Sequence, residues 1–156
     1  MDDFGNPGRP DGFGLPPAES NFILPGKRPL SSMSPTMMFR RSDAKPEGSL
    51  GELVLALGAS GGPKIITAVV QVIINHVLLG MSLFAATAHP RVHDQLIYHG
   101  AAVTTVEKST LETGETITLK DRTIMALKSR NHDVLDIDYM GTVQSISVDL
   151  ETRSLR

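Results

Sequence analysis

The run Gly58-Ala59-Ser60-Gly61-Gly62-Pro63-Lys64 is the part of the sequence that comes nearest to a chemical motif. A phosphate-binding loop needs Gly directly before the Lys and a hydroxyl residue after it. Here Pro63 precedes Lys64 and Ile65 follows it, which excludes that motif. Paired glycines between a strand and a helix can instead leave backbone N–H groups facing an anion. The residues alone leave two interpretations open, an anion-binding turn and a simple tight turn.

Two neighbouring hydroxyls, Ser31 and Ser32, follow a basic pair within the stretch Lys27–Thr36. Such hydroxyls can bind a carboxylate, although serines beside prolines are more often turn formers. Asp2 and Asp3 would by themselves be a solvated acidic pair. Only a wider context assigns these polar residues a function.

The histidines and the absence of cysteine narrow the possible chemistry. His89 and His93 have a spacing that metal sites use, but Pro90 lies between them and no ligand cluster accompanies them, so we expect no metal site. His76 is expected to be a hydrogen-bonded structural residue of a helix. The sequence has no cysteine, which excludes disulfides, thiolate metal sites and cysteine nucleophiles.

Length and charge exclude further classes of protein. The 156 residues, 40% of them hydrophobic, suffice for one domain with a core. The net charge of -2 argues against an electrostatic nucleic-acid or lipid binder. The apolar stretch Ile65–Ala88 is interrupted by polar residues that include Thr67, Gln71, Asn75, His76 and Thr87, so we expect burial in protein rather than in a membrane. We expect no export signal in Met1–Gly14, which lacks a basic start and an apolar run.

The elements that must position these residues begin after a long irregular segment. Asp2–Lys27 is dense in glycine and proline and is predicted to be a loop, either disordered or shaping a binding site. Thr36–Arg40 and Leu53–Leu57 are predicted to form an antiparallel hairpin with a solvated, mobile connection over residues 42–49. The second run does not alternate in polarity, which predicts burial on both faces.

A long helix is predicted from Lys64 to Leu79, because Pro63 suits a first turn and Gly80 a helix end. Its polar residues recur every four positions and should form one stripe; they are Thr67, Gln71 and Asn75. Ser82 is predicted to cap a second helix that ends at Ala88.

The remainder adds a strand over Ala102–Glu107, a helix over Thr123–Arg130 and a strand over Gly141–Val148. This order predicts a layered α/β (α+β) fold in which helices cover a mainly antiparallel sheet.

Several motifs in fixed order resemble the C-terminal part of the small subunit of γ-glutamyltransferases, also called glutathione hydrolases. They are Met1-Asp2-Asp3-Phe4, Lys27-Arg28-Pro29-Leu30-Ser31-Ser32-Met33-Ser34-Pro35-Thr36, Gly61-Gly62-Pro63-Lys64-Ile65-Ile66-Thr67, Pro90-Arg91-Val92-His93-Asp94-Gln95 and Gly141-Thr142-Val143-Gln144-Ser145. The resemblance covers most of the chain and is loose from Tyr98 to Asp138. It implies one partial domain over residues 1–156, in which residues 1–27 form an irregular substrate loop.

The resemblance implies the N-terminal-nucleophile hydrolase fold, an αββα sandwich, here in part. It also implies cleavage of the γ-glutamyl amide of glutathione through a threonine acyl-enzyme, without metal or organic cofactor. The γ-glutamyl group then passes to water or to an amino acid or peptide acceptor.

By matching position, Asp3 is implied to hold the substrate's α-ammonium group, and Ser31 and Ser32 its α-carboxylate. Gly61 and Gly62 are implied to form the oxyanion hole through their backbone N–H groups. No residue of this sequence matches the family's threonine nucleophile, which the resemblance places before Met1. Asp94 stands where many relatives have histidine, and His89 where many have alanine.

Two explanations of this pattern remain open, a fragment of an active enzyme and a short inactive homologue that only binds γ-glutamyl compounds or another subunit. The implied partners are glutathione, acceptor amino acids or peptides and the large subunit of the same precursor. Family members are usually extracellular, periplasmic or anchored at the cell surface, which is what the resemblance implies for the parent protein.

Overall fold

The computed structural model describes residues 4–41, 46, 48–152 and 154–155. The chain divides into two compact units. Unit 1 consists of Met1–Ser32 and Pro90–Tyr139, and unit 2 of Met33–His89 and Met140–Arg156. Each unit is described by itself below.

The sheet of unit 2 has three antiparallel strands, β1 (Thr36–Arg40), β2 (Glu52–Ala59) and β8 (Val143–Ser147), in the order β1-β2-β8. The predicted hairpin and the predicted last strand are thereby confirmed. Residues 42–45 and 47, in the connection expected to be mobile, lie outside the described residues.

The long helix of unit 2 begins as predicted and changes its winding near its end. α1 spans Lys64–Ile73 and continues as a π-helical turn, Ile74–Leu78. Gly80 then has a φ of 69°, a left-handed conformation typical of a helix end. The π-helical turn was not predicted, because nothing in the local polarity pattern distinguishes it from an α-helical turn.

The second helix, α2, spans Leu83–Ala88. The hydroxyl of Ser82 accepts a hydrogen bond from the Ala85 N–H at 3.2 Å, which confirms the predicted cap. His76 lies in the π-helical turn, and its Nδ1 is 2.8 Å from the carbonyl oxygen of Met81, as expected for a structural histidine.

An apolar core lies where α1 and α2 pack against β2 and β8. Its buried members are Leu55, Leu57, Ile65, Ala68, Val69, Val72, Ala86 and Val143. The other face of the sheet is more open, since Met37 is 68% and Ile146 50% exposed. The prediction that β2 is buried on both faces is therefore met in full on one face, whereas Val54 and Ala56 on the other face are half-buried. A run of apolar residues indicates that both faces of a strand can be buried. It does not indicate that helices of the same unit bury both faces.

Unit 1 has a second three-stranded sheet formed by β3 (Val92–His93), β4 (Thr104–Glu107) and β7 (Val134–Ile137). β3 pairs with β4 antiparallel, whereas β7 pairs with β4 parallel. Parallel neighbours need a crossover, and α3 (Asp121–Lys128) lies in the chain between β4 and β7. The predicted strand and helix of this region are thus confirmed with shifted ends.

Between β4 and α3 the chain forms a short antiparallel ladder of β5 (Ser109–Thr110) and β6 (Thr116–Ile117). The sequence patterns did not predict β3, β5, β6 and β7. Three of these strands have only two residues, too few for a period-2 pattern to be recognisable.

The described part of the opening segment is irregular, as predicted. Its regular structure is a single 3₁₀ turn, Glu19–Asn21, with isolated bridges such as the one between Gly5 and Phe22. Taken together, the two units are a mixed α/β structure with mainly antiparallel sheets, which confirms the predicted fold class.

Among the described residues, no helix combines the length and the apolar character that crossing a membrane requires.

Candidate active-site turn and substrate loop

The paired glycines occupy a sharp turn between β2 and α1 in unit 2. Gly61 has a φ of 132° and Gly62 a φ of 60°. Residues with a Cβ rarely adopt such values, so the turn depends on glycine at both positions. This backbone conformation agrees with both interpretations of the Gly-Gly pair, an anion-binding turn and a simple tight turn.

The carbonyl groups of this turn face the helix. The Lys64 N–H donates to the Gly61 oxygen at 3.3 Å, and the Ile65 N–H donates to the Gly62 oxygen at 3.1 Å. Within the part of the chain that the structure describes, the Gly61 N–H has no hydrogen-bond acceptor. This donor also lies next to the N-terminal end of α1, where the helix dipole favours negative charge. The turn can therefore offer at least one backbone donor to an anion.

The turn packs against the backbone that leads into β8. The Ser60 N–H donates to the Thr142 carbonyl at 2.9 Å. A Cβ atom on Gly61 would lie 3.0 Å from the Cα of Gly141 and 3.1 Å from the carbonyl oxygen of Met140. Two backbones therefore meet here without side chains between them.

The predicted carboxylate-binding serines lie in an irregular segment of unit 1. Ser31 is exposed and Ser32 is half-buried. The adjacent Leu30 N–H donates to the side-chain Oδ1 of Asn21 at 2.8 Å. The residue next to the two serines is thus held by a side chain of the preceding loop.

Asn21 also binds the beginning of the chain. Its backbone oxygen accepts a hydrogen bond from the Gly5 N–H at 3.0 Å, and its own N–H donates to the Ala18 oxygen at 2.8 Å. One residue therefore connects the segment at Gly5 with the segment before Ser31. Asn21 was not among the predicted site residues, although an asparagine within a Gly/Pro-rich loop is a known signal for side-chain to backbone bonding.

The predicted convergence of the site residues stays a prediction. Asp3 lies outside the described residues. Ser31 and Ser32 belong to unit 1, whereas Gly61 and Gly62 belong to unit 2. Within each unit, the elements required by the prediction are present, namely an organised loop before the serines and a glycine turn before a helix.

The motif Pro90–Gln95 has mainly structural contacts. The buried Arg91 guanidinium forms two hydrogen bonds of 2.7 Å to the buried Glu107 carboxylate, one from Nε and one from its terminal nitrogen. His93 is buried as well, and its Nε2 lies 2.9 Å from Oε1 of Gln95. Sequence reasoning missed the ion pair because its partners are 16 positions apart and belong to different strands or strand ends.

Asp94 joins a small polar cluster. Its Oδ2 accepts a hydrogen bond from the Thr104 hydroxyl at 2.5 Å and lies 3.3 Å from Nδ1 of His132. The hydrogen bond from Thr104, followed by the one from the Leu96 N–H, lowers the pKa of the Asp94 carboxyl below its ordinary value of 3.8. Asp94 is thus held as a carboxylate that links β4 to the segment before β7.

Among the described residues, no three His, Asp or Glu side chains lie together in a way that could hold a metal ion.

Comparisons with known proteins agree on one family. Residues 1–155 match the family model of gamma-glutamyltranspeptidase. The glutathione hydrolase proenzyme of Arthroderma benhamiae is 40% identical over 146 residues, covering 94% of this chain and 22% of the relative. The glutathione hydrolase proenzyme of Escherichia coli is 34% identical over 149 residues, covering 95% of this chain and 22% of the relative. The chain thus spans about a fifth of the length of these curated relatives.

The fold comparison gives the same result. A crystal structure of a mutant of Helicobacter pylori gamma-glutamyltranspeptidase superposes with a TM-score of 0.78 and 30% identity, covering all of this chain and 74% of that chain. The structure of gamma-glutamyltranspeptidase from Pseudomonas nitroreducens in complex with L-DON gives a TM-score of 0.74 and 32% identity, with 100% and 72% covered. The fold is therefore that of the N-terminal-nucleophile hydrolases, as the motifs implied, and the chain belongs to the gamma-glutamyltranspeptidase family.

Proposed function

We propose that this chain is part of a γ-glutamyltransferase or glutathione hydrolase that cleaves the γ-glutamyl amide of glutathione. The γ-glutamyl group passes through a threonine acyl-enzyme to water or to an amino acid or peptide acceptor. The observation that carries the proposal is the glycine turn at α1, with positive φ at Gly61 and Gly62 and a Gly61 N–H without an acceptor among the described residues. We propose further that residues 1–156 form one partial domain, since a single family model spans 1–155.

In this proposal, the turn stabilises the tetrahedral intermediate. The backbone N–H groups of Gly61 and Gly62 donate to the oxygen that becomes negative when the amide carbonyl is attacked. Loss of one such donor typically lowers kcat by about 10²- to 10³-fold. The N-terminal end of α1 adds to the stabilisation because its dipole is positive at this end.

The γ-glutamyl group is recognised at its α-carbon. Asp3 binds the α-ammonium group, and the hydroxyls of Ser31 and Ser32 bind the α-carboxylate. The support for this is the position of these residues in the family motifs and the organisation of the loop by Asn21. The segment 1–27 would then be the substrate loop.

The nucleophilic threonine is proposed to come from a part of the protein that precedes this stretch, because the chain spans only 22% of the Arthroderma relative.

The large subunit of the same precursor is the proposed protein partner. Several apolar side chains of α1 and its π-helical extension are 39% to 73% exposed; they are Ile66, Val70, Ile74, Val77 and Leu78. Such an exposed apolar surface supports a protein partner that covers it. The parent protein is proposed to act outside the cytoplasm or at the cell surface.

The experiment that tests the proposal uses the protein with its upstream region and a chromogenic γ-glutamyl anilide. Asp3→Asn should lower kcat/KM by about 10- to 100-fold, because a charge-assisted hydrogen bond to the α-ammonium group is lost. Asp2→Asn is the matched control and should retain activity. Absence of γ-glutamyl turnover in the unmodified protein, or equal losses in both variants, would contradict the proposal.

The alternative is a catalytically inactive short homologue that binds γ-glutamyl compounds or another subunit. The short span relative to the curated relatives fits this alternative too. Calorimetry with glutathione on the 156-residue chain tests it, and absence of heat at millimolar ligand would count against it. Sequencing of the upstream transcript distinguishes the two, since only the fragment has a coding region for the threonine.

A further inference from the structure

Gly141, the residue two positions before β8, lies against the glycine turn of unit 2. Its φ is 87°, a conformation that favours glycine. A Cβ atom at this position would overlap the carbonyl oxygen of Ser60 and would lie 2.9 Å from both the Ser60 carbonyl carbon and the Gly61 Cα. All three atoms are backbone atoms, so no flexible side chain can move away to make room. Any side chain at Gly141 would therefore displace the Ser60–Gly61 peptide.

That peptide carries the proposed oxyanion donor. The Ser60 carbonyl and the Gly61 N–H belong to the same peptide unit, which is planar and resists twisting. A push on the Ser60 oxygen must therefore tilt the Gly61 N–H as well. The contact at Gly141 is in this way coupled directly to the direction of the donor.

The segment that carries Gly141 is itself anchored on both sides. Met140 is 1% exposed, so its side chain is enclosed. The Thr142 carbonyl accepts the Ser60 N–H at 2.9 Å. Ser60 is thus held through its N–H by the hydrogen bond to Thr142, and the peptide that follows Ser60 lies in close backbone contact with Gly141.

We propose that Gly141 is a positioning residue for the oxyanion hole, which sets the direction of the Gly61 N–H through backbone contact with the Ser60–Gly61 peptide. The proposal rests on the proposed function for its catalytic consequence. Its structural part, that a side chain at position 141 tilts this peptide, stands independently of any activity.

The structural part is tested by hydrogen exchange on the 156-residue chain, resolved to single amides. Gly141→Ala should speed exchange of the Ser60 amide by about tenfold or more, because the bond to Thr142 is strained or opened. Gly80→Ala is the matched control, since Gly80 also has positive φ, at 69°, but a Cβ there would meet nothing within 4 Å. Equal exchange of the Ser60 amide in the two variants would overturn the proposal.

The catalytic part is tested by steady-state kinetics on the protein with its upstream region. Gly141→Ala should lower kcat by about 10²-fold while KM changes by less than about threefold, as expected for a donor that acts mainly in the transition state. Gly80→Ala should leave both constants near those of the unmodified protein. A Gly141→Ala variant with unchanged kcat would overturn the proposal. If the unmodified protein shows no γ-glutamyl turnover, the proposed function fails, and the exchange experiment still decides the role of Gly141.

Gly61→Ala changes the other partner of the same contact, and it tests the role of Gly141 if Gly141→Ala does not fold. Its Cβ would lie 3.0 Å from the Gly141 Cα, a tight contact that a shift of a few tenths of an ångström relieves. The proposal expects faster exchange of the Ser60 amide in this variant also. The readout is the exchange and not kcat, because Gly61 carries the proposed donor and its φ of 132° by itself disfavours a side chain. Unchanged exchange of the Ser60 amide in Gly61→Ala would overturn the proposal.

Discussion

The two units of the chain are stabilised by different interactions. The core of unit 2 is apolar, with residues such as Leu55, Val72 and Ala86 enclosed between helices and sheet. Among the described strand residues of unit 1, the buried apolar side chain is Val106. The other buried side chains in and beside these strands are polar or charged; they are Arg91, His93, Thr104, Thr105 and Glu107. Apolar burial is non-directional, whereas a buried ion pair or hydrogen bond requires a partner in one geometry. Unit 1 should therefore be the more sensitive of the two to the loss of a single polar partner.

The largest expected effect is in unit 1. Arg91→Met should lower the free energy of unfolding by about 3–5 kcal/mol, because the Glu107 carboxylate would stay buried without its partner. Lys108→Met is the control, since the Lys108–Asp136 pair is exposed and such pairs contribute at most about 1 kcal/mol. Urea unfolding followed by circular dichroism measures both.

A second variant sharpens this test. Arg91→Met combined with Glu107→Leu should regain most of the loss, because an apolar pair has no unpaired charge. Equal losses in Arg91→Met and Lys108→Met would remove the proposed difference between the units.

In unit 2, Leu55→Ala should lower the free energy of unfolding by about 2–5 kcal/mol through lost burial and a cavity. Leu55→Met, which nearly conserves volume, should cost less than about 1.5 kcal/mol. Leu50→Ala is the surface control and should change stability by no more than about 0.5 kcal/mol, because Leu50 is exposed. If Leu55→Met lowered the free energy of unfolding as much as Leu55→Ala, the core of unit 2 would not depend on non-directional apolar burial.

The loop of unit 1 should respond more weakly. Asn21→Ala removes the acceptor of the Leu30 N–H and should cost about 0.5–1.5 kcal/mol, the usual net value of one hydrogen bond. Exchange of the Leu30 amide should become faster. The exposed Asn6 provides the control variant Asn6→Ala, in which the Leu30 amide should exchange as before. Unchanged exchange in Asn21→Ala would show that Asn21 does not organise the serine segment.

The smallest expected effect depends on pH. Because the folded state lowers the pKa of Asp94, its carboxylate stabilises the fold at pH values above the ordinary 3.8, and this contribution is lost as pH falls through the lowered pKa. Asp94→Asn should therefore reduce Tm slightly at pH 7, and the difference should disappear in acid. The effect is small because the side chain is 36% exposed. Thermal scans measure the Tm of Asp94→Asn, with Asp138→Asn as the control because Asp138 is exposed. A loss of Tm in Asp94→Asn that grew towards low pH would reverse the assigned sign.

Sequence patterns predicted unit 2 better than unit 1, for a physical reason. Residues only a few positions apart predict several features of unit 2; they are the cap at Ser82, the helix that begins at Lys64 and the strand Thr36–Arg40. In unit 1, β3 has only two residues, and β7 finds its parallel neighbour β4 across an intervening helix. Such pairings depend on contacts between distant parts of the chain, which local periodicity does not contain.

The same division holds for the candidate site. The sequence by itself determined the family, the order of the motifs and a Gly-Gly turn before a helix at positions 61 and 62, because these depend on residue type and local spacing. Only the tertiary structure decided that Asn21 binds the backbone at both Gly5 and Leu30, and that Gly141 lies against the Ser60–Gly61 peptide. Each of these contacts involves at least one backbone atom, and the sequence does not indicate which partner packing will bring to a backbone atom.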